Sequence, residues 1–326
     1  MISYFDAHCD TIYRCLETGE TSALDYGENR EEQRCYYAAS THLRKNGGHI
    51  DLERGLKFRR CAQFFALFHD AVEAPVDGMW AQCQRMHDFF LGEMADSTDI
   101  ARHCRTGAEV DETVAQGKVA ALLSIEGADL IDCDVHRIEV VSGWGVRFLN
   151  PVWNRANLLS GTNAEEPERG LSAEGRDFIH VLEEHEIYPD VSHLSDAGFW
   201  DLVHMAQRPI IASHSNARAV CPHRRNLTDD QFRAIRDLNG VVGLNLYLNF
   251  VGEPTMDALV AHVEHFLNLG GEKTLCLGGD LDGCESLAAG MTGMQDVPRL
   301  YDALKARGYG EDLLEDIFWN NLRRLI

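Results

Sequence analysis

The segment IYPDVSHLSDAGFWDLVHMAQRPIIASH, residues 187–214, contains the structural unit from which the fold can be predicted. It begins with a short β-rich run that ends in His193 and continues through an amphipathic stretch from Asp196 to Ala206. It closes with a second apolar run that ends in His214. Two short strands separated by a helix are typical of a βαβ unit with parallel strands. The segment also places a histidine at the end of each predicted strand.

The same alternation of a short apolar run and a helix-like stretch recurs along the chain. The eight runs are Tyr4 to Asp10, Cys61 to Phe68, Val119 to Glu126, Gly145 to Asn150, Ile187 to His193, Pro209 to His214, Val241 to Asn245, and Thr274 to Asp280. The amphipathic stretches are Met79 to Glu93, Ala173 to Glu186, Asp196 to Ala206, Thr228 to Leu238, and Met256 to Leu269. About eight alternations of strand and helix predict an α/β protein with a (β/α)8 TIM barrel.

A doubly wound open sheet is the alternative α/β architecture. It normally carries a glycine-rich phosphate-binding turn after its first strand, and the sequence DAHCDT at residues 6–11 is not such a turn. The chain has 326 residues and no linker-like segment, so we predict a single barrel domain over residues 1–326. In such barrels the active site lies at the C-terminal ends of the strands.

The composition restricts the partners that the protein can have. Asp and Glu together number 52 against 30 for Lys and Arg, so the net charge is −22, whereas nucleic acids and anionic membranes select a basic surface. No apolar run approaches the ~18 residues of a membrane span, and the start MISYFDAHCDTIYRC does not have the pattern of a signal peptide. The ten cysteines are scattered and form no CxxC pair, which indicates free thiols in a reducing compartment. We therefore predict a cytoplasmic protein with no nucleic-acid or membrane partner.

Polar side chains stand at the C-terminal ends of the predicted strands. These residues are His8, Asp10, Glu126, Asn150, His193, His214 and Asp280. In a strand, residues two apart point to the same side, so His8 and Asp10 can address one ion together. An ionised glutamate that ends an apolar strand needs a partner, since burying it unpaired is costly.

Three imidazoles and two carboxylates at one barrel mouth suffice for two divalent ions that share Glu126. One ion would take His8 and Asp10, and the other would take His193 and His214. Nitrogen and oxygen ligands without thiolate suit zinc, with manganese, cobalt and iron as alternatives. Two such ions bind a bridging water and polarise a carbonyl, which is metal-assisted hydrolysis. Asp280 would be the free carboxylate for proton transfer or for holding a substrate amine.

Each of these residues taken alone also has an ordinary structural interpretation. A lone HxD pattern is compatible with a capped turn, Glu126 with a solvated strand end, and a single histidine with a hydrogen-bonded core residue. Four further histidines are predicted to lie on solvated helical faces: His180, His185, His262 and His265. Convergence of the whole set on one strand edge is what favours the metal site.

The chain resembles the membrane (renal) dipeptidase family of metallopeptidases, a branch of the metal-dependent amidohydrolase barrels. The resemblance covers nearly the whole chain. It rests on DAHCDT at 6–11, HIDL at 49–52, AQFF at 62–65, SIEGA at 124–128, GVR at 145–147, SHSNA at 213–217, RRNLTDD at 224–230 and GGDLDG at 278–283.

This resemblance implies a set of functional residues. Two zinc ions would be held by His8, Asp10, Glu126, His193 and His214, with Glu126 as the bridge. Arg225 would bind the terminal carboxylate of the substrate, and Asp280 would contact its amino end and transfer a proton. The family cleaves dipeptides, often tolerates a D-residue at the C-terminal position, and usually forms homodimers.

One position departs from the family pattern. Six residues after Arg147, where the vertebrate enzymes have a histidine, this chain has Trp153. An indole cannot accept a proton, so we predict that Trp153 shapes an apolar wall of the substrate pocket. The alternative is that it packs between a strand and a helix and never meets the substrate.

Two other functions are compatible with parts of this pattern. An amidohydrolase of the same fold could act on N-acyl amino acids, cyclic amides or lactams, but the presence of both Arg225 and Asp280 favours a zwitterionic dipeptide. A non-catalytic binding protein on a decayed barrel would be expected to have lost a metal ligand, and all five are present.

Overall fold

The computed structural model describes residues 1–16 and 42–326. Nine parallel strands form one sheet in this part of the chain. They are β1 (Ser3–Asp6), β2 (Arg60–Phe68), β3 (Ala101–His103), β4 (Val119–Glu126), β5 (Val146–Asn150), β6 (Tyr188–Pro189), β7 (Ile211–Ala212), β8 (Val241–Leu244) and β9 (Leu275–Leu277). All eight predicted runs contain one of these strands.

Eight of the strands close into the predicted barrel. Their order is β6-β5-β4-β2-β1-β9-β8-β7, and the ring closes where Asp190 bridges Ile211 and the Val191 amide donates to the Ile211 carbonyl at 2.8 Å. The short β3 lies outside this ring and pairs with the first residues of β4. The (β/α)8 prediction is confirmed, and β3 is an addition to it.

Helices follow most of the strands, as the barrel requires. The α-helices in the described part are Thr11–Leu16, Leu52–Gly55, Met79–Asp96, Gly107–Ala115, His136–Gly143, Ala173–Glu184, Asp196–Met205, Asp229–Asp237, Leu248–Val251, Met256–Asn268, Val297–Ala306, Glu311–Glu315 and Asn321–Arg323. A π-helical turn, Asp316–Asn320, joins the last two. The five predicted stretches agree with helices in this set, and several shorter helices were not predicted.

Four of the longer helices begin directly after a serine or threonine. The hydroxyls of Ser172, Ser195, Thr228 and Thr255 each accept a hydrogen bond from a backbone amide of the first helical turn. Such a cap satisfies an amide that has no partner within the helix. These residues explain why the chain turns from loop to helix at those points.

Side chains fill the barrel beneath the site. On β1, β2 and β4 alternate residues point inward, so Phe5, Phe64 and Leu122 belong to one buried cluster inside the barrel. Phe64 stacks on Phe148 with ring centroids 4.1 Å apart, and Phe5 packs against Trp319 at 5.2 Å. The interior of the barrel is therefore a packed core and not a pore.

Strands β6 and β7 are shorter than the predicted runs, which extended to His193 and His214. Beyond Pro189 and Ala212 the backbone amides of Ser192 and Ser213 donate to the carboxylate of Asp190, at 3.0 and 3.1 Å, and not to a neighbouring strand. The ladder therefore stops before the histidines, whose side chains still lie at the barrel mouth.

One histidine was assigned to the wrong environment. His262 was predicted on a solvated helical face, but its side chain is fully buried. Its Nδ1 accepts from the Ala217 amide at 3.1 Å, and its Nε2 lies 3.1 Å from the Val251 carbonyl. Both partners lie outside the helix that carries His262, one of them in the segment after β7 and the other in the helix Leu248–Val251, so helical periodicity could not reveal them.

The cysteines and the helices bear on the predicted compartment. Nine cysteines lie in the described residues and all are free thiols, while Cys35 lies outside the described residues. No helix in residues 1–16 and 42–326 is both long enough and apolar enough to cross a membrane.

Substituting Gly278 should destabilise the barrel. Gly243 on β8 and Gly278 after β9 face each other, and a Cβ at either would collide with the carbonyl oxygen of Ser213. Because backbone atoms cannot move aside as a side chain does, Gly278→Ala should lower the stability by about 3 kcal/mol. Differential scanning calorimetry measures this as a lower melting temperature.

The matched control is Gly92→Ala, in the exposed middle of the helix Met79–Asp96. A Cβ there meets no atom within 4 Å, and alanine is favoured over glycine in a helix by about 0.5–1 kcal/mol. Gly92→Ala should therefore have a slightly higher melting temperature than wild type. Equal melting temperatures for the two variants would contradict the packing argument.

Candidate metal centre

The five predicted ligands and Asp280 all lie at the C-terminal mouth of the barrel. His8 and Asp10 follow β1, Glu126 is the last residue of β4, and the remaining three follow β6, β7 and β9: His193, His214 and Asp280. All six side chains are buried. The strand order places Glu126 across the mouth from β7 and β9, which is how residues distant in sequence meet.

Glu126 is the centre of this cluster. Its Oε1 lies 2.9 Å from His193 Nε2, 3.3 Å from His214 Nε2 and 3.7 Å from His8 Nε2. The rings of His8 and His214 stack with centroids 4.0 Å apart. One carboxylate oxygen thus faces the ring nitrogens of three histidines.

Two more carboxylates lie beside His8. Its Nε2 is 3.3 Å from Asp10 Oδ2 and 4.0 Å from Asp280 Oδ1. Gly283 makes this proximity sterically feasible, since a Cβ there would collide with Asp10 Oδ2 and Asp280 Oδ1. Asp280, which the sequence assigned to the substrate, is therefore also close enough to contribute to an ion.

The donor atoms form two groups in which every atom lies within 4.8 Å of the others. One group is His8, Glu126 and His214, and the second is His8, Asp10 and Asp280. Among the described residues, Asp10 Oδ1 is buried with no hydrogen-bond partner. A buried set of imidazole nitrogens and carboxylate oxygens with an orphaned oxygen fits divalent metal ions.

The grouping differs from the predicted division of ligands. The sequence paired His8 with Asp10, and His193 with His214, around a shared Glu126. In the structure His8 belongs to both groups, and His193 lies next to His214, with 3.0 Å between their Nε2 atoms. His193 is in neither group, although its Nε2 lies 2.9 Å from Glu126 Oε1.

Burial and the charges of neighbouring groups shift the pKa values of the residues in this cluster. Burial raises the pKa of the Glu126 carboxyl well above its usual value, and burial likewise raises that of Asp280. Burial lowers the pKa of both His193 and His214. His8 is the exception: burial opposes its protonation, yet Glu126 and Asp10 raise its pKa to about 10. A divalent cation would replace that proton as the counter-charge to the carboxylates.

Arg225 lies beside the imidazoles. Its Nη1 donates to the Ser192 carbonyl, its Nη2 is 3.0 Å from His193 Nε2, and the guanidinium lies over the Phe250 ring at 5.3 Å. The side chain is only 5% exposed. Burial lowers the pKa of Arg225 to about 10, which still leaves it cationic at neutral pH.

A cavity of about 440 Å³ opens above these residues. Its wall includes Glu126, Arg225 and Asp280, so the candidate metal ligands and the buried guanidinium face one space. Trp153 also lines it, with its ring 4.8 Å from that of Phe68 and 6.3 Å from that of His193. Trp153 therefore lies in the cavity wall, where the sequence placed it.

The residues that hydrogen-bond to the candidate ligands were not predicted from the sequence. Asn154 Oδ1 lies 3.0 Å from His193 Nδ1, Ser213 Oγ lies 2.7 Å from His214 Nδ1, and Asn245 Nδ2 donates to Asp280 Oδ2 at 3.0 Å. Asn245 ends a predicted strand run, a position that could have marked it. Asn154 and Ser213 carry no spacing signal.

A parallel barrel with a buried cluster of metal-binding side chains at its C-terminal mouth defines a class of metal-dependent hydrolytic enzymes. Comparison with known proteins identifies the family. A family model described as membrane dipeptidase (peptidase family M19) matches residues 1–326. The chain therefore belongs to the membrane dipeptidase family of metallopeptidases, which confirms the resemblance found in the sequence.

Individual relatives agree with this assignment. A Klebsiella pneumoniae protein described as an "uncharacterized protein in pqqA 5'region" is 34% identical over 265 residues, which cover 77% of this chain and 96% of that protein. A metallopeptidase from Rhodobacter sphaeroides, solved with a phosphinate mimic of the dipeptide L-Ala-D-Ala, is 28% identical with a TM-score of 0.83, covering 99% of this chain and 98% of its own. The metallopeptidase dipeptidase AC is 28% identical with a TM-score of 0.85, covering 99% and 97%.

Proposed function

We propose that the protein hydrolyses the peptide bond of dipeptides with two divalent ions held at the barrel mouth, and that it accepts a D-residue at the C-terminal position. The observation that carries the proposal is the shared cavity, in which the Glu126 cluster and the Arg225 guanidinium face the same space. The dipeptide mimic bound to the Rhodobacter sphaeroides relative supports the substrate class.

His8, Asp10, Glu126, His193 and His214 would hold the ions, with Glu126 shared between them. When bound, the ions lower the pKa of water and polarise the scissile carbonyl. Asp280 would receive the substrate's amino end and carry a proton during the reaction. Its Oδ2 is held by Asn245, which leaves Oδ1 directed toward the cluster.

Arg225 would bind the substrate's C-terminal carboxylate. A guanidinium matches a carboxylate with two parallel hydrogen bonds. The lone pair of His193 Nε2 now faces Arg225 Nη2 at 3.0 Å, and one lone pair cannot serve both a guanidinium donor and a metal ion. Ion binding to His193 would thus release Nη2 for the substrate.

The finer assignments follow from the same residues. We propose zinc as the ion because the donors are imidazoles and carboxylates with no thiolate. The nine free thiols support a reducing cytoplasm. The homodimer that the family resemblance implies stays a prediction.

Fully loaded protein should contain two ions per chain, and Glu126→Gln should weaken the binding of both ions together. Glutamine keeps the shape of the side chain but loses its negative charge and one acceptor oxygen. Elemental analysis after equilibration with zinc measures the count. The matched control is Glu183→Gln, since Glu183 is also buried but accepts from the backbone amides of Gln207 and Arg208. A content of one ion per chain in loaded wild-type protein would contradict the proposal that two ions bind.

The substrate assignment is tested with zinc-loaded protein and a panel of L-L, L-D, N-blocked and C-terminally amidated dipeptides. We expect turnover of the free dipeptides and a strong preference for them over the amides. Arg225→Ala should lower kcat/KM for free dipeptides, because it removes one partner of a buried charge pair. The loss of transition-state stabilisation should be on the order of 2–5 kcal/mol, and the metal content should stay intact.

The control for this variant is Arg233→Ala, on the exposed helix Asp229–Asp237, where the guanidinium pairs with Asp229 and Asp230. Arg233→Ala should have the same kcat/KM for free dipeptides as wild type. Equal rates on amidated and free dipeptides in wild type would refute the role of Arg225. A preference for N-blocked substrates would instead favour an amidohydrolase of N-acyl amino acids, cyclic amides or lactams.

Trp153 should set the preference among substrate side chains. As an apolar wall of the cavity, it would favour compact or apolar residues, so Trp153→Ala and Trp153→His should both change the ranking of a dipeptide panel. Trp200→Ala is the control, since Trp200 packs on Phe199 and His204 and does not line the cavity. An unchanged ranking in both Trp153 variants would mean that Trp153 does not meet the substrate.

A further inference from the structure

A buried carboxylate connects the two strand ends that carry His193 and His214. Asp190 Oδ1 accepts from the Ser192 amide at 3.0 Å, the Ser213 amide at 3.1 Å and the Ser192 hydroxyl at 2.7 Å. Asp190 is 2% exposed, so these contacts are shielded from water. None of the functions above uses Asp190.

The hydrogen bonds continue from Asp190 to the imidazole of His214. Ser192 Oγ lies 3.3 Å from Ser213 Oγ, and Ser213 Oγ lies 2.7 Å from His214 Nδ1. The backbone amide of His214 also donates to Ser192 Oγ, at 3.2 Å. Two serines therefore join a carboxylate to one nitrogen of a candidate metal ligand.

The contacts at Asp190 determine the direction of the first hydrogen bond in this series. Asp190 Oδ1 already receives two amide groups, which can only donate, so this oxygen acts as an acceptor. The Ser192 hydroxyl must donate to it, and Ser192 Oγ is then left with lone pairs toward Ser213. Ser213 Oγ, 3.3 Å away, can then donate its hydrogen to Ser192 Oγ, which continues the series in one direction.

The same reasoning assigns the imidazole proton of His214. With its own hydrogen directed at Ser192, Ser213 Oγ can only accept from His214 Nδ1, which must carry a hydrogen. The Nε2 lone pair then faces Glu126 Oε1 at 3.3 Å and His193 Nε2 at 3.0 Å, and a metal ion held by these atoms would use all of these lone pairs. Without the serines the opposite tautomer would be favoured, since a proton on Nε2 could be donated to the Glu126 carboxylate.

We infer that Asp190, Ser192 and Ser213 form a positioning relay that keeps His214 in the Nδ1–H tautomer with Nε2 ready to ligate a metal ion. The inference rests on the proposed metal function of His214. The relay residues touch neither the ion nor the substrate; they act through His214. The second nitrogen of a ligating histidine sets which tautomer is present and how basic the ligand is.

The tautomer can be read in metal-free protein by long-range ¹H–¹⁵N NMR of histidine-labelled samples, with His214 assigned from a His214→Asn variant. Wild type should show the Nδ1–H form. Ser213→Ala and Ser192→Ala should shift His214 toward the Nε2–H form. Asp190→Asn keeps an acceptor oxygen and should stay closer to wild type than Asp190→Ala.

Zinc affinity gives the second readout, by competition with a chelator. Ser213→Ala should lower the zinc affinity of one of the two sites by about 10–100-fold, as is usual when the partner of a ligating residue is removed. The control is Ser124→Ala, another buried serine, located on β4 two residues before Glu126, whose hydroxyl has no hydrogen-bond partner to lose. It should match wild type in both measurements.

The outcomes separate this inference from the proposed function. If Ser213→Ala keeps the Nδ1–H tautomer and the wild-type affinity, the relay is wrong. If Ser213→Ala does not fold, Ser192→Ala decides, because it frees the Ser213 hydroxyl to donate to Nδ1 and predicts the same shift. If wild type binds no zinc, the metal function fails, while the tautomer measurement still confirms or overturns the relay.

Discussion

The site depends on one carboxylate, that of Glu126, at the end of a strand whose residues are all buried. Taking an ionised carboxylate out of water is costly unless charge or hydrogen-bond donors replace the solvent. Glu126 Oε1 has three imidazole nitrogens within 3.7 Å, and Asp10 and Asp280 add negative charge next to His8. A proton on His8 balances only part of this charge, whereas divalent cations balance it and use the same atoms as ligands.

Precise placement of these ligands comes from other buried carboxylates that bond to the backbone at strand ends. Asp6 accepts from the amides of His8 and Gly279, and so connects the ends of β1 and β9. Asp190 does the same for the ends of β6 and β7. Each of these carboxylates ends the strand ladder early and turns the next residues toward the mouth. The acidic composition of the chain is therefore partly structural, which the net charge alone did not reveal.

The sequence predicted the long strands well and the short ones poorly. The runs in β2 and β4 agree with the structure to within a residue, because apolar runs of about eight residues between polar segments are typical of strands buried on both faces of a parallel sheet. β6 and β7 contain only two residues each, since Asp190 takes the amides that a longer ladder would use. Strand β3 has the sequence Ala-Arg-His, and no apolar run in the sequence predicts it.

The same contrast holds for the site. The five predicted ligands and Asp280 converge, because the parallel topology brings the strand ends to one mouth and the sequence shows which residues stand there. Their supports could not be found in this way. Asn154 and Ser213 act through single hydrogen bonds to His193 and His214, and one small polar side chain in a loop has no periodicity or spacing to distinguish it. Only the three-dimensional register reveals such pairs.

The loop after β5 joins the wall of the cavity to the metal centre. Trp153 lines the cavity, and the next residue, Asn154, holds His193 Nδ1. A change that moves the Trp153 backbone therefore also moves the partner of His193, so substrate preference and ligand geometry are coupled through one peptide bond. An indole donates one hydrogen bond and cannot take up a proton. Any proton transfer in this cavity must then fall to groups that titrate, and among the cavity residues Asp280 lies beside the cluster with a pKa that burial raises. The loop that carries the tryptophan thus also keeps His193 in place beside the carboxylates.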